Sequence, residues 1–217
     1  VVVVKELQNR DFNGGASIVA SQIRQLGAKC QLVSVIGDDE NGKYIRNKIA
    51  SELIEDGLVV DKSRPTTFKK RYLVDNQKLF RVTRLEQSQI NEDVEDKIIK
   101  ELEIAAKTAN GIVISDFVYG VITNKILVKV HELAKKYNLY LFGDLQCSTQ
   151  VGSIMKFNEF SLLCPNEKEA RIALHEKDLD LETLSLQVIK RTNSNKLLMK
   201  LGSDGFIAYE HINGKIS

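Results

Sequence analysis

The amino-acid sequence predicts an α/β protein with a doubly wound, mainly parallel sheet. Short apolar runs, each the length of a buried strand, alternate with amphipathic segments of helical period along most of the chain. Clusters of Gly and Asp separate these segments, as turns between strands and helices require. With 217 residues, 43% of them hydrophobic and 28% charged, the chain has the size and composition of one globular domain with a good-sized core.

The first part of the chain begins this alternation. Gly14-Gly15 leads into a helical pattern that places Val19, Ile23 and Leu26 on one face, and Gly27 is a helix stop signal. The predicted elements here are a short strand at residues 1–5, this helix, a buried strand at Gln31–Ile36, and a second helix that follows the turn at residues 37–42 and runs through Glu55.

Residues 58–85 have a different character. Two segments, 67–74 and 78–82, are rich in β-branched and aromatic residues, and Asp75-Asn76-Gln77 between them predicts a hairpin turn. A hairpin inside an α/β pattern indicates a small sheet that stands off the main body. We therefore expect a single domain over residues 1–217, with β lid elements around residues 1–7 and 58–85.

The alternation of strands and helices then resumes. Asn91 is a helix cap, and the helix after it carries an apolar stripe made of Val94, Ile98, Leu102, Ala105 and Ala109. The remaining predicted elements are strands at residues 111–115, 139–142, 160–164, 196–201 and 206–209, and helices at residues 123–137, 166–175 and 181–191.

Charge, cysteine and histidine content argue against several function classes. The 31 basic and 29 acidic residues leave a net charge of +2, which argues against a bulk nucleic-acid or membrane-surface binder. No apolar run reaches membrane-spanning length. Cys30, Cys147 and Cys164 lack metal-ligand spacing, so we expect reduced thiols in a cytoplasmic protein. The three His residues have no partners at catalytic spacing, which argues against metal-hydrolase or triad chemistry.

The most informative motif follows the strand predicted at residues 160–164. Pro165 ends the strand, Asn166 is positioned to cap the next helix, and Glu169 follows about one turn later. One interpretation is a capping box. The other is a ligand site, because an amide and a carboxylate at a helix N-terminus, beside the carboxyl end of a sheet, lie where open α/β folds bind phosphate ligands.

Further candidate sites lie at the other strand ends. Gly14-Gly15, the Ser115–Gly120 loop, Asp144 and the Gly202–Gly205 turn all stand between a predicted strand and the next element. Each is weak alone, since such loops need Gly and Asp for turns and caps. Turn formation therefore remains an alternative at each position. The ordered series is much less expected by chance.

In this order the chain resembles the PfkB/ribokinase-like carbohydrate kinases, and within them the sugar-phosphate kinases that act on heptose 7-phosphate. The likeness covers nearly the whole chain. The residues that carry it are Gly14-Gly15-Ala16-Ser17, Leu26-Gly27-Ala28, Val35-Ile36-Gly37-Asp38-Asp39-Glu40-Asn41-Gly42, Pro65-Thr66-Thr67, Asn76-Gln77-Lys78-Leu79-Phe80-Arg81, Ser115-Asp116-Phe117-Val118-Tyr119-Gly120, Pro165-Asn166-Glu167-Lys168-Glu169 and Leu201-Gly202-Ser203-Asp204-Gly205.

For the substrate, the resemblance implies a three-layer ribokinase-like sandwich whose β lid covers a sugar or sugar phosphate. Gly14 and Gly15 would let the backbone approach the sugar hydroxyls, because glycine has no Cβ. Asp116 would lie in the sugar pocket. Arg81 matches an arginine on the lid side, and its forked donors suit a substrate phosphate. Family members often dimerise through the lid, so we expect a homodimer.

For the cofactors, the resemblance implies ATP and Mg²⁺. Asn166 and Glu169 match a pair that organises magnesium, through its waters, beside the phosphates; a hard cation that keeps several waters suits such ligands. Lys200, Gly202 and Gly205 match the region that lines the nucleotide site.

Several positions depart from the family pattern. These are Ile18 for a sugar-binding asparagine, Thr83 for an acidic residue, Tyr119 for a basic residue, Leu145-Gln146 for Pro-Lys, and Lys200 for a threonine. Together they reduce the polar and cationic contacts to substrate. The family's first core strand and its Gly-Ala-Gly-Asp motif, with the catalytic aspartate, have no counterpart among these residues, so no catalytic residue is assigned.

Two function classes therefore remain open. The first is an ATP-dependent sugar or sugar-phosphate kinase, seen here without its catalytic segment. The second is a catalytically degenerate module of the same fold, used for ligand binding or assembly.

Overall fold

The computed structural model describes residues 5–74, 77–146, 152–212 and 215–216. The helices are α1 Ala16–Gln25, α2 Glu40–Ser51, α3 Glu92–Ala105, α4 Asn124–Tyr137, α5 Glu167–Leu174 and α6 Leu181–Thr192. The strands are β1 Gln31–Ile36, β2 Glu55–Val60, β3 Phe68–Val74, β4 Gln77–Arg84, β5 Gly111–Asp116, β6 Tyr140–Leu145, β7 Leu162–Leu163, β8 Lys196–Lys200, β9 Phe206–Ile212 and β10 Lys215–Ile216.

The main sheet has six strands in the order β10-β9-β8-β7-β6-β5. Its centre, from β5 to β8, is parallel, whereas β9 and β10 continue it in antiparallel fashion. Its core is apolar: Leu163 of β7 and Leu197 and Met199 of β8 are fully buried, and Phe157 and Phe160 pack against each other with ring centroids 4.9 Å apart. The fold predicted from the sequence, a mainly parallel α/β sandwich with a β lid, is confirmed.

A second, two-stranded parallel sheet is formed by β1 and β2. It lies across a cleft of about 2610 Å³ that is lined by residues of β1, β5, α1, α3 and the lid. In the described part of the chain, β1 and β5 do not pair with each other. Val113, in the middle of β5, is consequently 45% exposed. The cleft therefore lies between β1 and β5, the edge strand of the main sheet.

Side-chain caps start five of the six helices in the described part of the chain. Asp39, Asn91, Thr123, Asn166 and Asp180 each accept a hydrogen bond from a backbone N–H in the first turn of the following helix. Such caps satisfy donors that the helix itself leaves unpaired. Asp39 and Asn166, three residues beyond the ends of β1 and β7 respectively, in this way fix the starts of α2 and α5.

Two predictions for the first part of the chain are wrong. The second helix does not run through Glu55: α2 ends at Ser51, Leu53 takes a positive φ of 58°, and Glu55–Val60 pairs with β1 as a parallel strand. The predicted face of α1 is also shifted. Leu26 is 87% exposed, and the buried positions are the small residues Ser17, Ala20 and Ser21, because close packing selects size over hydrophobicity there.

Strand β7 is shorter than predicted, and β10 was not predicted. Residues 1–4 of the expected first strand, Asp75-Asn76 of the expected turn and Cys147 lie outside the described residues. Residues 5–7 are irregular, although the Glu6 carboxylate meets the Lys70 ammonium of β3 at 2.9 Å and so lies against the lid. Within the described ranges, no helix has the length and apolar character to cross a membrane.

Candidate functional site

The candidate site is a row of polar side chains at the carboxyl ends of four neighbouring strands. Asp116 ends β5, Asp144 lies near the end of β6, Asn166 follows β7, and Lys200 ends β8. The strands are hydrogen-bonded in this order, so residues distant in sequence are brought side by side. The carboxyl edge of an open parallel sheet is where such folds bind ligands.

Asn166 and Glu169 form the capping box that one interpretation of the sequence predicts. The Asn166 Oδ1 atom accepts the Glu169 N–H at 2.8 Å, and the Glu169 Oε2 atom accepts the Asn166 N–H at 2.8 Å. Glu169 is only 6% exposed. The box holds both side chains at the N-terminus of α5. Capping does not exclude a ligand role, because a carboxylate can accept about four hydrogen bonds.

Lys200 is placed across the ends of three strands. Its backbone N–H donates to the Pro165 carbonyl at 2.8 Å, and its Nζ donates to the Asp144 Oδ1 at 2.6 Å. Cys164 directly follows β7, the strand that lies between β6 and β8 in the sheet. Burial raises the pKa of its thiol, the Asp144 carboxylate raises the pKa further, and the Lys200 ammonium lowers it. A cation and an anion therefore stand next to Asn166, with both side chains partly exposed.

The Gly202–Gly205 turn follows Lys200 directly. Gly202 and Gly205 have φ values of 65° and 90°, which favour glycine, and the Gly205 carbonyl accepts the Leu201 N–H at 2.8 Å. No atom lies within 4 Å of the position that a Cβ would occupy at either glycine. The turn thus presents bare backbone beside the strand ends.

Asp116 is held in a local network at the cleft. It is 3% exposed, its Oδ1 accepts the Val118 N–H at 2.8 Å, and its Oδ2 pairs with the Lys156 ammonium. Asp116 therefore caps the turn that follows β5, which is the alternative to a ligand role at this position. Lys156 was not predicted as a site residue. In the sequence it is a single lysine forty residues from Asp116, with no motif around it.

Gly14 and Gly15 lie at the start of α1, on the wall of the same cleft. Gly15 has a φ of 59°, and a Cβ there would lie 3.6 Å from the Phe117 ring. At Gly14 a Cβ would meet nothing within 4 Å. Ile18, one turn further along α1, is 44% exposed, so its apolar side chain takes no part in the core.

The lid reaches the cleft through Lys69. Its Nζ donates to the Tyr119 hydroxyl at 2.5 Å and lies 4.9 Å from the centroid of that ring. The Arg64 guanidinium, only 7% exposed, donates to the Tyr119 carbonyl at 3.2 Å and braces the same loop. Arg81, on β4, is exposed. Lys69 and Arg64 were both missed from the sequence.

Comparison with known proteins gives the family. The family model for pfkB family carbohydrate kinases matches residues 2–216. This chain belongs to the pfkB family of carbohydrate kinases. The family assignment made from the motifs is confirmed.

Curated relatives of this pfkB domain include two bifunctional proteins named HldE. The one from Campylobacter jejuni subsp. jejuni serotype O:2 is 31% identical over 213 residues, which is 98% of this chain and 41% of the relative. The one from Helicobacter acinonychis (strain Sheeba) is 34% identical over 183 residues, 82% of this chain and 38% of the relative. The chain thus spans about two fifths of these relatives.

Solved structures of similar fold include phosphofructokinase-2 from Escherichia coli in complex with substrates and products. It superimposes with a TM-score of 0.74 at 17% identity, over 92% of this chain and 65% of that one. The protein Sa239 gives a TM-score of 0.76 at 14% identity, over 100% of this chain and 69% of that one. At these identities the likeness establishes the ribokinase-like fold.

Proposed function

We propose that this pfkB domain is part of an ATP- and Mg²⁺-dependent kinase that phosphorylates a hydroxyl of a sugar or sugar phosphate, with a heptose phosphate as the substrate class. The observation that carries the proposal is the row Asp116, Asp144, Asn166 and Lys200 at consecutive strand ends. Phosphoryl transfer depends mainly on positioning and on stabilising charge, and this row combines a cation, carboxylates and a helix N-terminus.

The nucleotide is proposed to bind over β7 and β8. Lys200 would contact its phosphates, and the bare backbone at Gly202 and Gly205 would allow it to approach closely. Asn166 and Glu169 would hold Mg²⁺ through its waters; oxygen donors from one amide and one carboxylate suit a hard cation that keeps part of its hydration shell. When bound, the ion would neutralise charge that develops on the transferring phosphoryl group.

The sugar is proposed to bind in the cleft, between the start of α1 and the loop after β5. Gly14 and Gly15 would let the backbone approach the hydroxyls, and the Asp116 carboxylate would accept a hydrogen bond from a sugar hydroxyl. Arg81, on the lid, would contact a phosphate carried by the substrate. We assign no catalytic base among these residues.

Two departures from the family pattern are offset in the structure, which argues against the catalytically degenerate alternative. Tyr119 stands where the family pattern has a basic residue, and here the Lys69 ammonium of the lid donates to the Tyr119 hydroxyl. A cation is absent at Gln146, yet Lys156 places its ammonium on Asp116, whose carbonyl accepts the Gln146 N–H at 2.8 Å. The positive charge of the site is thus supplied by other elements.

The test is calorimetric titration of the full-length protein with a non-hydrolysable ATP analogue and Mg²⁺. We expect Asn166→Ala and Glu169→Gln to weaken Mg²⁺-dependent binding about tenfold or more, as outer-sphere partners of metals do. Asp180→Ala is the matched control. It removes the equivalent cap of α6, costs a similar stability of about 1 kcal/mol, and leaves nucleotide affinity unchanged.

Three outcomes would contradict the proposal. The folded full-length protein would fail to bind the analogue, binding would be indifferent to Mg²⁺, or Asp180→Ala would weaken it as much as Asn166→Ala. Binding that follows the expected pattern would justify a kinase assay with a panel of sugar phosphates in place of neutral sugars.

We also propose that the protein is a homodimer joined through the lid, and that it acts in the cytoplasm, where ATP is available. Tyr72 and Phe80 stack across the hairpin at 4.5 Å, and Val82 beside them is 50% exposed. An apolar sheet face of this kind needs cover. Sedimentation equilibrium should show a dimer that Phe80→Asp converts to monomer; a wild-type monomer would contradict the proposal.

A further inference from the structure

Two segments connect the lid hairpin to the rest of the domain. Residues 61–67 lead from β2 into β3, and residues 85–91 lead from β4 to α3. Both segments contact residues 117–120, which follow β5 and which we call the β5 loop. Because the sugar is proposed to bind against the β5 loop, a residue that fixes this loop relative to both segments bears on the geometry of the site.

Arg64 contacts all three of these segments with one buried guanidinium group. Its Nε donates to the Asp61 Oδ2 at 2.9 Å, its Nη1 to the Tyr119 carbonyl at 3.2 Å, and its Nη2 to the Ser88 carbonyl at 3.1 Å. A guanidinium is planar, and its N–H donors have fixed directions. The three hydrogen bonds therefore hold the three segments in one arrangement.

The segment that carries Arg64 is anchored on the β1–β2 side of the cleft. Asp61 is buried and donates its N–H to the carbonyl of Ile36, the last residue of β1, at 2.8 Å. Thr66 donates its N–H to Oδ2 of Asp39, the cap of α2, at 2.9 Å. In the described part of the chain, the β1–β2 sheet and the main sheet are not hydrogen-bonded to each other. Arg64 therefore links an anchored segment of one sheet to a loop of the other.

The β5 loop and the segment after β4 are also in direct backbone contact. The Ile90 N–H donates to the Gly120 carbonyl at 3.0 Å, and a Cβ at Gly120 would lie 1.9 Å from the Ser88 carbonyl oxygen. This Ser88 carbonyl is the one that accepts a hydrogen bond from Arg64. The two segments thus pack as one unit, and the guanidinium fastens this unit to the anchored segment.

The other side of the β5 loop faces the proposed sugar site. The Val118 N–H donates to the Asp116 Oδ1 at 2.8 Å, so a shift of the loop would also move this carboxylate or break its hydrogen bond. The Phe117 ring lies 3.6 Å from the position that a Cβ would take at Gly15. The position of the loop therefore sets how Asp116 and the start of α1 face each other across the cleft.

We propose that Arg64 is a positioning residue, which holds Asp116 against the start of α1 through the β5 loop and so couples movement of the lid to the geometry of the sugar site. This role rests on the proposed function, because the site that Arg64 positions is the proposed sugar site. Three of its five N–H donors are already bound within the protein, so it acts through the loop and needs no contact with substrate. The nucleotide edge at β7 and β8 lies outside its reach.

The first experiment is hydrogen–deuterium exchange of the full-length protein without ligand. Arg64→Met removes the guanidinium and should raise exchange at the Ile90 and Val118 amides together, about tenfold or more, since hydrogen bonds to charged groups are the stronger ones. Arg64→Lys keeps a positive charge beside Asp61 but cannot donate in three fixed directions. Both amides should therefore exchange nearly as fast in Arg64→Lys as in Arg64→Met.

Arg46→Met is the matched control. It removes another guanidinium that pairs with a carboxylate, Asp56, and donates to a backbone carbonyl, that of Leu58 at 3.0 Å, on the same two-stranded sheet. It should leave exchange at Ile90 and Val118 within about twofold of wild type, because neither of its partners touches the β5 loop.

The second experiment is steady-state kinetics with ATP, Mg²⁺ and heptose 7-phosphate. Arg64→Met should raise the KM for the sugar phosphate about tenfold or more, because small displacements of aligned groups are costly, and should change the KM for ATP less than about twofold. A purely structural role would instead lower kcat in proportion to the fraction of unfolded protein and leave both KM values unchanged. A thermal melt of every variant measures that fraction.

Four results would overturn the proposal. Arg64→Met would leave exchange at Ile90 and Val118 unchanged, Arg64→Lys would restore wild-type exchange, Arg46→Met would act as strongly as Arg64→Met, or kcat would fall with the KM for heptose 7-phosphate unchanged.

The kinase proposal can fail separately. Coupled exchange that depends on Arg64, in a protein that does not bind the ATP analogue, would retain the link between lid and loop and refute the kinase. Mg²⁺-dependent nucleotide binding, in a protein whose exchange is indifferent to Arg64, would retain the kinase and refute the positioning role.

Discussion

The Lys200 ammonium reaches over β7 to the Asp144 carboxylate, and the two atoms lie 2.6 Å apart. This ion pair joins β8 to β6 above Cys164, next to the capping box at Asn166. The pair ties together the ends of three parallel strands at the place where the nucleotide is proposed to bind. It also gives the partly buried Cys164 thiol between them an electrostatic environment that can be measured.

Cys164 should report the state of this pair. Because the Lys200 ammonium lowers the pKa of the thiol, Lys200→Met should raise that pKa and slow alkylation by iodoacetamide at pH 8.5 about two- to tenfold. Asp144→Asn should act in the opposite direction and accelerate it. Rates are followed by mass spectrometry, with Cys30 in the same protein as the internal reference. Equal rates in the two variants would show that the pair does not act on the thiol.

The buried Asp61–Arg64 pair should make folding sensitive to acid. Burial raises the pKa of Asp61, but hydrogen bonds from Ser63 and Arg64 outweigh it, so the pKa is lowered from 3.8. A lowered carboxyl pKa adds stability that is fully present above the unfolded pKa and is lost as pH falls through the folded one.

Urea unfolding of Asp61→Asn should therefore differ most from wild type at neutral pH, by about 1–3 kcal/mol. The difference should shrink once the pH falls below about 3.8, the ordinary carboxyl value. A difference that stays constant from pH 7 to pH 2.5 would contradict the assignment.

Gly120 should not tolerate a side chain. It has a φ of 76°, and a Cβ there would lie 1.9 Å from the Ser88 carbonyl oxygen. Gly120→Ala should lower the free energy of unfolding by at least about 2 kcal/mol. The left-handed conformation alone costs about 1–2 kcal/mol for a residue with a Cβ, and the clash adds to it. Gly27→Ala is the control: its φ is 93°, but nothing lies within 4 Å of the added atom. Chemical denaturation should show clearly less loss for Gly27→Ala; equal losses would rule out the steric account.

Lys156 and Asp116 should be coupled. Removing one partner of a buried ion pair leaves an uncompensated charge, so Lys156→Met should destabilise the protein by about 1–3 kcal/mol. Adding Asp116→Asn should recover part of that loss. The double-mutant cycle should give a coupling of at least about 1 kcal/mol, and additive effects would mean that the contact contributes nothing.

Local sequence was sufficient for much of this fold. The cap at Asn91, the strand Gln31–Ile36 and the turn at Gly202–Gly205 each depend on residues within one turn or one strand, and all are found in the structure. The capping box at Asn166 and Glu169 is of the same kind. The helix predicted to run through Glu55 was wrong for a long-range reason. Glu55 begins a strand because β1 is available as a parallel partner, and no local signal carries that information.

The site divides in the same way. The sequence by itself determined the α/β alternation, the caps and glycine turns at the strand ends, and the family motifs, because these depend on short-range backbone preferences and on residue identity. Tertiary structure alone decided which residue each of three lysines contacts. Lys69 reaches Tyr119 across 50 residues, Lys156 reaches Asp116 across 40, and Lys200 reaches Asp144 across 56. Strand order and register bring such pairs together, and neither is encoded in the spacing of the residues along the chain.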